Sequence, residues 1–150
     1  MDEKYLIDSN SLIQPARAYY PFDFAPSFWG QLRPKISLDK IAVLDKVYGE
    51  LLKGTDELAE WAGSLPDSCV LPTKDARIAK AYTDVLDYIQ QSKNYNDAAL
   101  RRWSQFDIAD PWLIAAAMAY GYKILTFEQS AGIITDPSRN PKIPDIARHF

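Results

Sequence analysis

The sequence predicts an α/β protein with a central, mainly parallel sheet. Four short apolar runs carry that expectation: Tyr5-Leu6-Ile7, Lys40-Ile41-Ala42-Val43-Leu44, Ser68-Cys69-Val70-Leu71 and the stretch from Tyr122 to Phe127. Between them lie segments whose apolar residues recur at helical spacing. Strands and helices that alternate in this way make βαβ units, and such units place their strands parallel. The length of 150 residues, 47% hydrophobic and 25% charged, suits one domain over 1–150 with its own core.

Each element follows from local signals. The first run ends at Asp8, and Ser9, Asn10 and Ser11 are turn and N-cap residues that start a helix through Leu12, Ile13 and Ala16. Pro15 falls in or near its first turn, where proline does least harm. Residues 19–29 are aromatic and interrupted by Pro21 and Pro26, which predicts an irregular segment, with a short helix near residues 27–32. After the second run, Asp45 can cap a helix carrying Val47, Tyr48, Leu51 and Leu52, which Gly54 can end. Residues 56–62 suggest another short helix. Pro72-Thr73 then opens a long amphipathic helix with Ile78, Ala81, Tyr82, Val85, Leu86 and Ile89 on one face. Residues 94–96 break it, and residues 97–104 read as a further helix. Asp110-Pro111 pairs an N-cap aspartate with proline at the first helical position. The helix over residues 112–120 is apolar nearly all round, hence buried on several sides, and Gly121 is its stop. Residues 135–144 form a loop with three prolines, and residues 146–150 a last short element.

Composition narrows the chemistry. One cysteine, Cys69, leaves no internal disulfide and no CxxC zinc site, which suits a reducing cytoplasm. Residues 1–5 are charged and lead into too short an apolar run to be a signal peptide, and no stretch is long enough to span a membrane. The net charge of −3 argues weakly against nucleic acid, but if four acids hold a metal the remainder is −3 + 4 = +1.

Four acids share a logic of placement. Ligands of open α/β sheets bind beyond the carboxyl ends of the strands. Asp8 and Glu128 fall at two such ends. Asp110 caps the helix that feeds the last strand, and Glu50 lies about a turn into the helix after the second strand, beside Val47. The four can therefore converge, and carboxylates are the hard oxygen ligands that Mg2+ or Mn2+ prefers. Each also has a structural reading as a strand terminator, a cap, a solvated helix acid or a loop acid. Asp107 reads as a helix-entry residue or an auxiliary ligand.

The blocks Tyr5-Leu6-Ile7-Asp8-Ser9-Asn10, Val47-Tyr48-Gly49-Glu50-Leu51, Ala109-Asp110-Pro111-Trp112-Leu113-Ile114-Ala115 and Ile124-Leu125-Thr126-Phe127-Glu128 together resemble the PIN-domain nucleases. Their order and spacing look most like a bacterial and archaeal PIN-like branch long treated as a domain of unknown function. The resemblance implies a three-layer α/β/α sandwich around a parallel sheet, and a metal-dependent ribonuclease, often the toxin of a toxin–antitoxin pair. It assigns the first three acids to Asp8, Glu50 and Asp110. The fourth, commonly an aspartate after threonine, matches Glu128 one step later. The polar residue near the first acid matches Asn10 or Ser9. A divalent cation would then activate water and neutralise charge on the phosphoryl oxygens. RNA is the implied substrate and a separate antitoxin the implied partner; pairing with a second copy of the chain is also open.

Other residues fit supporting parts. Arg101-Arg102-Trp103 could grip phosphate and stack on a base, or be a solvated helix face with one buried tryptophan. Arg17 and Lys35 are weaker phosphate candidates. His149 reads as a terminal surface residue and Cys69 as core of the third strand. The aromatics of residues 19–29 read as core or as a docking surface for a partner. A second functional reading is a catalytically weak or inactive module of the same fold that binds RNA or protein. An aspartyl-phosphate enzyme would want Asp-x-Asp after its first strand, where this chain has Asp8-Ser9-Asn10.

Overall fold

The four apolar runs become four short strands: β1 (Tyr5–Ile7), β2 (Ile41–Leu44), β3 (Val70–Leu71) and β4 (Lys123–Leu125). The computed structural model describes residues 3–150; Met1 and Asp2, part of the charged N-terminal stretch, lie outside the described residues. All strand pairs are parallel, in the order β3-β2-β1-β4. Tyr5 faces Ile41 on one side and Lys123 on the other. Leu6, Ala42, Val43 and Leu44 are wholly buried, as strands covered on both faces require. The chain is thus α/β with an all-parallel sheet.

The chain divides into two compact units. The first comprises the described part of Met1–Pro72 together with Tyr122–Phe127, and so holds the whole sheet. Its helices are α1 (Asn10–Gln14), α2 (Pro26–Leu32), α3 (Asp45–Leu52) and α4 (Glu57–Gly63). The second comprises Thr73–Gly121 and Glu128–Phe150, with α5 (Ala76–Gln91), α6 (Asp97–Trp103), α7 (Asp110–Tyr120) and α8 (Ile143–His149). In this unit Tyr82 stacks on Trp112 at 3.9 Å to join α5 to α7, and Tyr88 stacks on His149 at 3.8 Å to join α5 to α8. Leu113, Ile114, Ala115 and Ala116 are all buried, a full turn of α7, as its all-round apolar sequence predicts. Gly121 ends it at φ 75°, the left-handed conformation that glycine adopts without a Cβ clash. Among the described residues no helix is long and apolar enough to cross a membrane.

Several local expectations need correcting. Pro15 does not sit in the first turn of α1; it follows that helix and begins a π-helix, Pro15–Tyr19. Lacking an N–H, proline cannot continue the i to i−4 ladder, and the wider turn closes with the Tyr20 N–H donating to the Pro15 carbonyl at 2.6 Å. Asp45 and Asp110 are the first residues of α3 and α7, not their N-caps; Leu44 and Ala109 hold those positions without side-chain caps. The long helix starts at Ala76 rather than at Pro72-Thr73, because Asp75 caps it by accepting from the Arg77 N–H at 2.8 Å. Ser68 and Cys69 lie in a 3-10 turn before β3, with Cys69 buried there. The last strand stops at Leu125, so Glu128 is three residues past its end. The last helix begins at Ile143, with Pro144 in its first turn where a missing N–H costs nothing.

Candidate functional site

The order of the strands singles out one place. From β1 the chain adds β2 and β3 on one side, then returns to add β4 on the other. The order therefore reverses between β1 and β4, and open parallel sheets bind ligands beyond the carboxyl ends of the strands at such a reversal. Asp8 is the residue that leaves β1 at this point.

Asp8 is held from several directions within the first unit. Its backbone N–H donates to the Leu125 carbonyl at 2.8 Å, tying the end of β1 to β4. The Ser9 N–H donates to its Oδ1 at 2.8 Å, and the Thr126 hydroxyl donates to its Oδ2 at 2.9 Å. The carboxamide oxygen of Asn10 accepts from the Phe127 N–H at 3.1 Å and lies 3.5 Å from the Thr126 hydroxyl oxygen. The Ser11 hydroxyl donates to the Leu125 carbonyl at 3.1 Å. At 4% exposure, Asp8 is a charged side chain inside the core.

Its partners among the described residues are all neutral. Burial accordingly pushes the Asp8 carboxyl above the ordinary carboxylate range, and the Thr126 and Ser9 hydrogen bonds offset only part of that rise. A buried charge of this kind is costly unless something positive arrives to compensate it.

The pH dependence follows with a definite sign. A carboxyl raised in the folded state binds its proton more tightly there than in the unfolded chain. Its contribution to stability is full below the ordinary carboxylate value and is lost as pH rises through the raised one. In metal-free buffer, Asp8→Asn should therefore melt above the parent at pH 7, and the gap should close as pH falls below the ordinary value. Thermal melts between pH 3 and 7 in chelator check this. A parent more stable than the variant at neutral pH would show that the charge is already compensated.

A family profile described as Domain of unknown function (DUF4411) matches residues 5–150. The chain belongs to DUF4411. A comparison with curated proteins finds no match.

The remaining site residues of this DUF4411 chain are placed as follows. In the first unit, Ser9 reaches Asp8 through its backbone N–H, and the Asn10 carboxamide oxygen accepts from the Phe127 N–H. Glu50 is half-buried in the last turn of α3. In the second unit, Asp110 is half-buried in the first turn of α7. Glu128 lies 3.9 Å from the Lys142 ammonium, so this acid has a cation of its own. Arg101 and Arg102 are exposed on α6 above the buried Trp103, and Arg102 donates to the Asn140 carboxamide at 2.9 Å. Asp107 is exposed. Among the described residues, no three His, Cys, Asp or Glu side chains are grouped so as to hold a metal ion.

Thr126 is the contributor that sequence reasoning passed over, since it stood only as the residue preceding a displaced acid. A hydroxyl at the end of an apolar run was the available signal. Its meaning depends on β4 lying beside β1.

Proposed function

We propose that this DUF4411 chain is a divalent-cation-dependent ribonuclease in which Asp8 is a cation ligand. The observation that supports it best is the buried Asp8 carboxylate at the strand-order reversal, whose hydrogen-bond donors among the described residues are neutral. The donor set fits magnesium. That ion keeps several waters and is usually bound through one or two carboxylates plus substrate phosphates, not by an all-protein cage. One buried carboxylate flanked by the Thr126 hydroxyl and the Asn10 carboxamide has this character. Manganese shares the preference for hard oxygen.

When bound, such a cation supplies charge neutralisation at the phosphoryl oxygens and a more acidic water. The chain's own part is orientation. The Ser9 N–H and the Thr126 hydroxyl hold one carboxylate oxygen each, so Asp8 is aimed before any ligand arrives. Glu50, Asp110 and Glu128 stay as assignments made by the resemblance to PIN-domain nucleases, each open to its own substitution.

Incubation of the purified chain with total RNA tests the reading. Cleavage is expected with magnesium and its loss with excess EDTA; full activity in EDTA would rule the mechanism out. The same resemblance extends the proposal to a cytoplasmic toxin restrained by a separate antitoxin. Expression of the chain alone should then arrest growth, and Asp8→Ala should relieve the arrest. A harmless parent that cuts RNA once purified would remove the antitoxin from the account.

A further inference from the structure

Within the first unit, beside the Asp8 site, lies a cavity of about 250 Å³. Ile7, Ile41 and Leu125 supply apolar lining from the strands, and Tyr20, Phe28 and Phe127 supply aromatic rings. Ser11 and Thr126 complete it, the two hydroxyl residues that also bind the Leu125 carbonyl and the Asp8 carboxylate. Thr126 therefore belongs both to the cavity wall and to the Asp8 site.

The aromatic side is held in shape. Tyr20 and Phe28 stack with centroids 4.5 Å apart and planes 15° from parallel. The Tyr20 carbonyl accepts from the Trp29 indole N–H at 2.8 Å, and Trp29 itself is buried. Tyr20 is delivered to this position by the π-helix that Pro15 begins, and Pro15 also lines the cavity. Such widened turns occur disproportionately at functional sites. Tyr20 and Phe127 nonetheless remain 47% exposed each, so their rings are open to a ligand.

We propose that this cavity receives a nucleobase of the nucleic acid whose phosphate lies at Asp8. The inference rests on the ribonuclease reading of the Asp8 site. The volume is just below the roughly 300–1,000 Å³ of pockets for drug-sized ligands, which suits one planar ring system. Aromatic walls stack on any base, because every base presents a π-face. Tyr20, Ser11 and Thr126 are the lining residues that carry hydroxyls, the rest of the lining being apolar, and Thr126 is also the residue bonded to Asp8. The subsite would place one base and so set which phosphodiester bond is presented to the carboxylate.

The test is binding by the intact chain, read by NMR in chelator so that no bond is cut. Adenosine 5′-monophosphate and uridine 5′-monophosphate are compared with ribose 5-phosphate. Ring-current shifts at Ser11, Thr126 and Phe127 are expected with the two nucleotides and not with the sugar phosphate. Phe28→Ala should weaken nucleotide binding by about 5- to 150-fold, the range of one lost base stack. Phe28 also abuts Trp29, so Phe127→Ala, at a half-exposed position outside the strands, gives a second reading if the first variant unfolds. Nucleotide binding by a chain that cuts no RNA would keep the subsite and remove the ribonuclease. RNA cleavage by a chain that binds nucleotide and sugar phosphate alike would overturn the subsite and keep the ribonuclease. Concentration-dependent self-association abolished by Phe127→Glu, without nucleotide shifts, would overturn it in favour of a second copy of the chain.

Discussion

Asp8→Asn should lower magnesium-dependent RNA cleavage by about three orders of magnitude. A cation at a phosphoryl centre contributes several kcal/mol of charge stabilisation, and each 1.36 kcal/mol is a decade in rate. Asparagine keeps the size of the side chain and one acceptor oxygen, so the fold should persist while the negative charge is lost. The Thr126 hydroxyl can reverse its role and accept from the new amide, because a hydroxyl both donates and accepts. The measurement is a single-turnover rate against magnesium concentration for parent and variant, alongside the metal-free melts. A variant that is at least as stable as the parent without metal, yet inactive with it, separates a ligand from a structural residue. A variant within tenfold of the parent at saturating magnesium would remove Asp8 from the chemistry.

The largest stability effect is expected at Trp29. Its ring is 2% exposed, stacks on Phe22 at 4.2 Å and meets Trp61 edge-on at 5.1 Å. Its indole N–H is committed to the Tyr20 carbonyl. Trp29→Ala should cost about 3–5 kcal/mol, the range for emptying a large aromatic site in a core. Urea midpoints at constant m-value measure it. A loss below about 1 kcal/mol would mean that the cluster is not part of the core. The prediction also divides a segment that sequence alone offered whole, either as core or as a docking surface. Trp29 is interior, with Phe22 stacked on it and Phe28 meeting it edge-on, while Tyr19, Tyr20 and Phe24 are exposed at 66%, 47% and 87%. The prolines keep the chain irregular, and an irregular chain can turn some rings inward and others out.

What the sequence by itself determined is local. The apolar runs became strands, α7 runs from Asp110 to Tyr120 and stops at Gly121 much as its flanking residues predict, and Asp8 stands directly at the end of β1. Periodicity, proline and glycine act over a few residues, so these features are legible without knowing what lies across the sheet. Caps were less legible. Asp45 and Asp110 are capping residue types, but each was drawn one position into its helix, whereas Asp56, Asp75 and Asn96 do cap theirs. Only the tertiary structure decided that β4 lies beside β1, which makes the end of β1 the point of reversal. It also decided that Thr126 meets Asp8 across 118 residues of chain. Strand order depends on which apolar faces bury one another after the chain has closed long loops. No local pattern records that choice, so the carboxylate was visible in the sequence and the surroundings that bury it were not.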